Sequence, residues 1–189
     1  MTQTNWHVIT GGPGTGKTLL INMLAKLGYA TVSEAAREII DHGLAKGQTL
    51  QQIRGNEQEW QSKILTHILK TESNLDIKKP TFFDRGAHDG LAFLKLKGVT
   101  PGAHWQPITS NNRQPYYKTV FLLEPLPNFE HDYARTENAQ ITQRLNDLTA
   151  QIYLDFGMQP IRIPYLPPQK RLQLILSHLQ PLKALQLYT

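Results

Sequence analysis

An α/β domain of three layers, a five-stranded and mostly parallel sheet with helices on both faces, is the fold this sequence predicts. Three observations carry the prediction. Short β-branched or aromatic runs alternate with segments of helical period along the chain. The first such run ends in a cluster of glycines, Gly11, Gly12, Gly14 and Gly16, and opens straight into a helical pattern. The 189 residues are 40% hydrophobic and 19% charged with no break in composition, which suits one compact domain over 1–189 with a sizeable core.

Trp6-His7-Val8-Ile9-Thr10 reads as a buried strand that ends at the glycine loop. Leu20, Ile21, Leu24 and Leu27 then recur at helical spacing, and Gly28 follows as a stop. Tyr29 to Val32 is a second strand, after which Ser33 is the expected N-cap of a helix to about Ile40 that Gly43 closes. Thr49-Leu50-Gln51-Gln52 has the spacing of a capping box, and Trp60, Ile64 and Ile68 mark one face of a long helix interrupted near Gly55. Thr81-Phe82-Phe83-Asp84 is a third strand with an acid at its carboxyl end, followed by a helical stretch from Leu91 to Lys97.

Residues 98–115 are rich in Gly, Pro, Asn and Ser without periodicity, so a long loop is expected there. Thr119 to Leu123 is a fourth strand, stopped by Glu124-Pro125-Leu126-Pro127. Ile141, Leu145, Leu148, Ile152 and Phe156 define a helix from about Glu137 to Phe156. Ile161 and Ile163 alternate around Arg162 in a fifth strand, and Lys170 to Leu179 forms a final helix.

Composition narrows the function classes. No run approaches the roughly 20 apolar residues that cross a bilayer, and Met1 to His7 lacks the pattern of a secretory signal, so the expected location is the cytoplasm. Cysteine is absent, which excludes disulfides, thiolate nucleophiles and Cys-based zinc sites. The histidines show no ligand spacing. A net charge of +5 invites a nucleic-acid reading, but Lys78-Lys79, Lys95/Lys97 and Lys170-Arg171 are scattered short pairs with no basic run. A site that gathers the phosphates of a small ligand explains the same balance.

Gly11-x-x-x-x-Gly16-Lys17-Thr18 matches the P-loop pattern in the context that pattern requires, after a strand and opening a helix. Phosphate oxygens must be met by backbone N–H groups, and side chains would block a loop wrapped so closely, so Gly11, Gly12, Pro13, Gly14, Thr15 and Gly16 form the expected nest. The following helix aims its unpaired N–H groups at the same anion. Lys17 is expected at the terminal phosphates and Thr18 at magnesium.

Ligands of doubly wound sheets sit beyond the carboxyl ends of the strands, so the residues just after each strand are candidates. Asp84 could hold magnesium, directly or through water, could take the proton of a substrate hydroxyl, or could simply cap the next turn. Glu34 could act as base or accept a hydrogen bond from a substrate, with Arg37 beside it, although an acid in a first helical turn also complements the dipole. Arg85 could clamp a phosphate or make an ion pair. Residues 124–137 are a candidate lid that would bring Arg135 onto a transferring phosphoryl group. Trp60, Tyr116 and Tyr117 read as packing residues ahead of a base-stacking platform.

Taken together, Ile9 to Leu24, Ser33 to Ile40, Phe83 to Leu91 with its Asp84-Arg85-Gly86, Phe121 to Arg135 and Pro160 to Leu176 resemble the P-loop ATPase/kinase family that includes the kinase domain of NadR-type nicotinamide riboside kinases. The resemblance spreads over most of the chain. It implies a nucleoside- or nucleotide-kinase-like fold with magnesium and ATP or GTP as ligands, and catalytic or substrate roles for Glu34, Asp84 and Arg85. Glu124-Pro125 and Gln140 depart from the family's pattern around the lid. No Asn-Lys-x-Asp guanine signature occurs, which favours ATP over GTP. The expected activity is transfer of the γ-phosphate to a small-molecule acceptor such as a nucleoside or nucleotide; the alternative is a nucleotide-dependent switch that acts through a protein partner.

Overall fold

Strand β1 (Trp6–Thr10) is buried along its whole length, and so is β3 (Thr81–Asp84), as central strands of a parallel sheet must be when helices cover both faces. With β2 (Ala30–Val32), β4 (Thr119–Leu123) and β5 (Pro160–Ile163), the strands form one sheet in the order β2-β3-β1-β4-β5. Every pairing is parallel, with Ile9 opposite Asp84 on one side and Phe121 on the other. The computed structural model describes residues 4–110, 117–125 and 139–179.

Side chains alternate across the pleat and create two cores. Ile9, Phe82, Phe121 and Ile163 face α1 (Lys17–Lys26) and α8 (Pro168–Ser177) through Leu20, Leu24 and Ile175. Trp6, Val8, Phe83 and Val120 point the other way, onto Tyr153 of α7 (Ala139–Asp155). That second face is completed by α4 (Glu57–Ser73) and α5 (Asp89–Leu96), which meet α7 through Leu65, Leu91, Leu94 and Leu145. The result is the three-layer arrangement expected from the alternation of strands and helices. The chain leaves β1 on one side for β2 and β3, and returns on the other for β4 and β5. The reversal therefore falls at the carboxyl end of β1, where the glycine loop lies.

Two local expectations, for the second helix and for 98–115, are corrected, and the capping box with the interruption near Gly55 is met. Helix α2 runs Ala35–Ala45 with Glu34, not Ser33, at its N-cap, and Gly43 lies inside it. A Cβ on Gly43 would stand 2.5 Å from Ile53 Cγ1, so this glycine admits a neighbouring helix and does not end its own. The capping box at Thr49 and Gln52 forms and starts α3 (Leu50–Arg54), but Gly55, at φ 58° and ψ −136°, separates it fully from α4. The 98–115 segment is not simply a loop: it contains a 3₁₀ turn (Ala103–Trp105) and the short helix α6 (Gln106–Thr109), while 111–115 lie outside the described residues. Trp105 and Ile108 are buried against α4 and α5, and an element this short carries no readable period.

Room for Trp105 comes from Gly90 in α5, where an added Cβ would stand 2.3 Å from Trp105 Cη2. Gly90→Ala sets a helix-propensity gain of about 1 kcal/mol against an overpacking cost of about 1–3 kcal/mol. The ring is rigid and buried, so the cost wins. Urea denaturation is expected to show net destabilisation, and an unchanged midpoint would contradict this packing.

Residues 126–137 of the candidate lid, with Arg135, lie outside the described residues. Among the described residues, no helix is long and apolar enough to cross a membrane.

Candidate active site

The loop after β1 is wedged between the end of β4 and the side of α7. Gly11 (φ 135°), Gly14 (φ 70°) and Gly16 (φ 89°) have backbones that side chains oppose. A Cβ on Gly11 would meet the Leu123 carbonyl at 2.7 Å, and one on Gly12 the Thr142 carbonyl at 2.7 Å. Asn146 of α7 fastens the first part of the loop, accepting from the Gly12 N–H at 3.0 Å. Thr15 Oγ1 donates to the Gly12 carbonyl at 2.9 Å, and the buried Lys17 ammonium folds over the same oxygen at 2.8 Å. Among the described residues, no acceptor meets the amides of Gly14 and Gly16. Helix α1 begins at Lys17 with no side-chain cap and no acid in its first turn, so the partial positive charge of its N-terminus is left for a ligand.

Beside it, Thr18 Oγ1 donates to Asp84 Oδ2 at 2.7 Å. Asp84 is 2% exposed, and its Oδ1 has no hydrogen-bond partner among the described residues. Burial pushes this carboxyl above the usual range and the nearby Glu34 charge pushes the same way, against Lys17, the Thr18 hydroxyl and Arg85. A buried carboxylate oxygen that lacks a donor, next to a hydroxyl on a helix N-terminus, is a hard oxygen pair of the type magnesium takes while keeping its own waters. These residues fit that ion.

The chain leaves β3 through Arg85, which is in the left-handed region at φ 71° and donates its N–H to the Ile9 carbonyl at 3.0 Å. A non-glycine residue there costs of order 1–3 kcal/mol and persists only where its surroundings hold it. They do so through charge. Arg85 Nε pairs with Glu34 at 2.9 Å and Nη1 with Asp89 at 3.2 Å. Burial works against the guanidinium charge, but Glu34 and Asp89 more than offset it and hold its pKa above the ordinary range. Asp89 in turn accepts from the Gly86 N–H at 2.9 Å, the Tyr153 hydroxyl at 2.7 Å and the Thr10 hydroxyl. Tyr117 accepts from the Ala87 N–H at 2.8 Å and donates to Glu72, so the turn after β3 is braced from below.

A cavity of about 220 Å³ opens between this cluster and the loop. Glu34, Arg37, Arg85 and Asp89 are among its polar lining, Pro13 of the loop borders it, and Trp60, Phe93 and Trp105 are among its apolar lining. Asp84 is not on that wall; it sits at the α1 side with Thr18.

The structure thus brings together the loop 11–18, Glu34, Arg37, Asp84 and Arg85. Tyr117 packs against Phe83 and His88, and Trp60 packs with Ile40 and Ile53 while also lining the cavity; Tyr116 lies outside the described residues. Sequence reasoning missed Asp89, Tyr153, Asn146 and Arg171. Asp89 was within reach, since an acid four residues after Arg85 on a helix start pairs with it. The others gave no local sign.

An all-parallel sheet in this order, with a glycine loop between its central strand and a helix and an Asp-Arg turn on the adjacent strand, defines a P-loop fold of the nucleoside- and nucleotide-kinase type. A sequence profile of the AAA domain matches residues 6–171, and the chain belongs to that family. A comparison with curated proteins finds no match. Among solved structures, the NadR protein in complex with NAD and AMP-PNP superposes with a TM-score of 0.69 at 15% identity, over 97% of this chain and 52% of that one. The chain therefore spans about half the length of that NadR protein. Thymidylate kinase from Ehrlichia chaffeensis gives 0.66 at 13% identity, covering 95% of this chain and 100% of that one. Deoxyadenosine kinase from M. mycoides gives 0.59 at 16%, covering 92% and 97%. At these identities the likeness is one of fold.

Proposed function

We propose that this protein transfers the γ-phosphate of magnesium ATP to the hydroxyl of a small acceptor, a nucleoside, a nucleotide or a related sugar-bearing metabolite. The observation that carries the reading is the cavity that joins the glycine loop at Pro13 to the carboxylates and guanidinium of Glu34, Asp89 and Arg85. A chamber lined by acceptor-binding groups thus begins at Pro13, next to the loop whose amides and Lys17 supply the anion donors. Similarity of fold to nucleoside and nucleotide kinases supports the same conclusion.

The loop amides and Lys17 would bind and orient the polyphosphate, while Thr18 and Asp84 would hold magnesium. The ion, when bound, neutralises charge on the β- and γ-phosphate oxygens. Glu34 lies on the cavity wall and Asp84 does not, which favours Glu34 as the group that receives the acceptor's hydroxyl proton. The acceptor oxygen forms its bond to the γ-phosphorus as the bond to the bridging oxygen breaks, and the diphosphate leaves. Arg85 would face the moving negative charge, and Arg37 would help hold the acceptor. Trp60 and the other apolar lining would exclude water and position a planar or sugar-bearing body.

The test is to incubate the protein with magnesium ATP and a panel of nucleosides, nucleotides and cofactors, and to follow labelled γ-phosphate. Transfer to one class is the expected result. Binding of the nucleotide with acceptor-independent hydrolysis alone would point to a switch that works through a protein partner. In the same assay Glu34→Gln is expected to lower kcat by about a hundredfold, the usual scale for a general base. A variant with full kcat would take the proton-acceptor role away from Glu34.

A further inference from the structure

We infer that Arg171, on α8 and outside the cavity, is a positioning residue for the phosphate cradle: it sets the direction of the Gly16 amide. The inference rests on the reading of the loop as a polyphosphate site.

Arg171 is 2% exposed, and its guanidinium meets main-chain carbonyls from three separate segments. Nε donates to Pro164 at 2.9 Å, Nη1 to Thr15 at 2.7 Å, and Nη2 to Glu124 at 2.6 Å and more weakly to Ile163 at 3.5 Å. The segments are the loop itself, the residue after β4, and the end of β5 with the turn into α8. A planar fork of five donors can serve carbonyls from three directions at once, which an ammonium on a flexible stem cannot do with the same rigidity. Burial disfavours the guanidinium charge, and the nearby Glu124 carboxylate partly offsets it.

The contact with Thr15 has a consequence in covalent geometry. In a planar trans peptide the C=O of one residue and the N–H of the next point in opposite directions. Arg171 draws the Thr15 carbonyl to itself and thereby turns the Gly16 N–H away, and that amide has no acceptor among the described residues. Gly16, at φ 89°, has the conformational freedom to let this peptide plane rotate if nothing held it. Asn146 fastens the opposite end of the loop at Gly12, 134 residues away in sequence, but does not reach this peptide. Arg171 therefore preorganises a donor that the ligand would otherwise have to order.

Arg171→Met retains the stem and removes the fork, and Arg171→Lys retains the charge. Calorimetric titration with magnesium ATP, at a temperature where circular dichroism shows both variants folded, is expected to give a Kd raised about tenfold or more for Met, equivalent to about 1.4 kcal/mol, with partial recovery for Lys. A purely structural role would lower the melting temperature and leave the Kd of the folded protein unchanged. A Kd within twofold of wild type in the Met variant overturns the inference. Should the variants not fold, the wild-type protein decides: in ¹H–¹⁵N spectra titrated with inorganic tripolyphosphate and magnesium, the Gly16 amide must shift with those of Gly14 and Thr18. Movement of Gly14 and Thr18 without Gly16 overturns the role of Arg171 alone. Absence of any shift in the loop overturns the cradle reading and this inference with it.

Discussion

Replacing Lys17 by alanine is expected to remove nucleotide-dependent thermal stabilisation. Ligand present at about a hundredfold excess over Kd stabilises a folded protein by about 2.7 kcal/mol, which for a chain of this size is a rise of about 5–10 °C in melting temperature. The Lys17 ammonium is held buried over the loop at the Gly12 carbonyl, where it can turn to a phosphate oxygen with little loss of freedom. A charge-assisted hydrogen bond contributes roughly 1.5–3 kcal/mol, so its loss weakens binding about 10- to 150-fold. Near the upper end of that range the same nucleotide concentration falls to about Kd, and the stabilisation shrinks to about 0.4 kcal/mol, close to the noise of a melting scan. Differential scanning fluorimetry with and without magnesium ATP measures this directly. A shift equal to that of wild type would contradict the assignment of the cradle.

Asp84→Asn is expected to separate three properties. Turnover should fall by about a hundredfold or more, the scale seen when a preorganised electrostatic group is removed from a transferring centre. Nucleotide affinity should fall by much less, because the loop amides and Lys17 remain. Stability of the nucleotide-free protein should rise, since the carboxylate is buried with one oxygen lacking a donor and stands near the charge of Glu34. An asparagine can still accept from the Thr18 hydroxyl without that charge.

The sign of the pH dependence follows. A carboxyl whose pKa is raised in the folded state lowers stability progressively as pH rises from the unfolded value to the folded one, and has no effect below the unfolded value. The gain from Asp84→Asn is thus fully present above the raised folded value, fades as pH falls through it, and is gone below the ordinary carboxylate range. Melting curves of both proteins across pH measure it, and a gain that persists undiminished in acid would assign it to packing. Retained turnover would take Asp84 out of the catalytic set.

These two residues were legible for different reasons. Lys17 belongs to a contiguous pattern in which every glycine answers a local requirement, close approach of backbone to an anion, and the requirement can be read without knowing the rest of the fold. Asp84 was visible because an acid at the carboxyl end of an apolar strand faces the ligand side of a parallel sheet. Its role stayed divided between holding a cation and accepting a proton. The cavity wall, which includes Glu34 but not Asp84, is what favours one over the other. One expectation fails for a tertiary reason: spacing along the chain reads Gly43 as a helix stop because it says nothing of Ile53 packed against it.

By itself the sequence determined the alternation of strands and helices, the position of the glycine loop and the candidates at the strand ends, all properties carried by residues within a few positions of one another. Only the tertiary structure decided that Arg85 is clamped by Glu34 and Asp89, that Asn146 and Arg171 hold the loop from 134 and 156 residues away, and that Trp60 faces a cavity. The physical reason is that a side chain's charge state and hydrogen-bond partners depend on everything within several ångströms of it. In a doubly wound sheet, most of those neighbours come from other strands and helices.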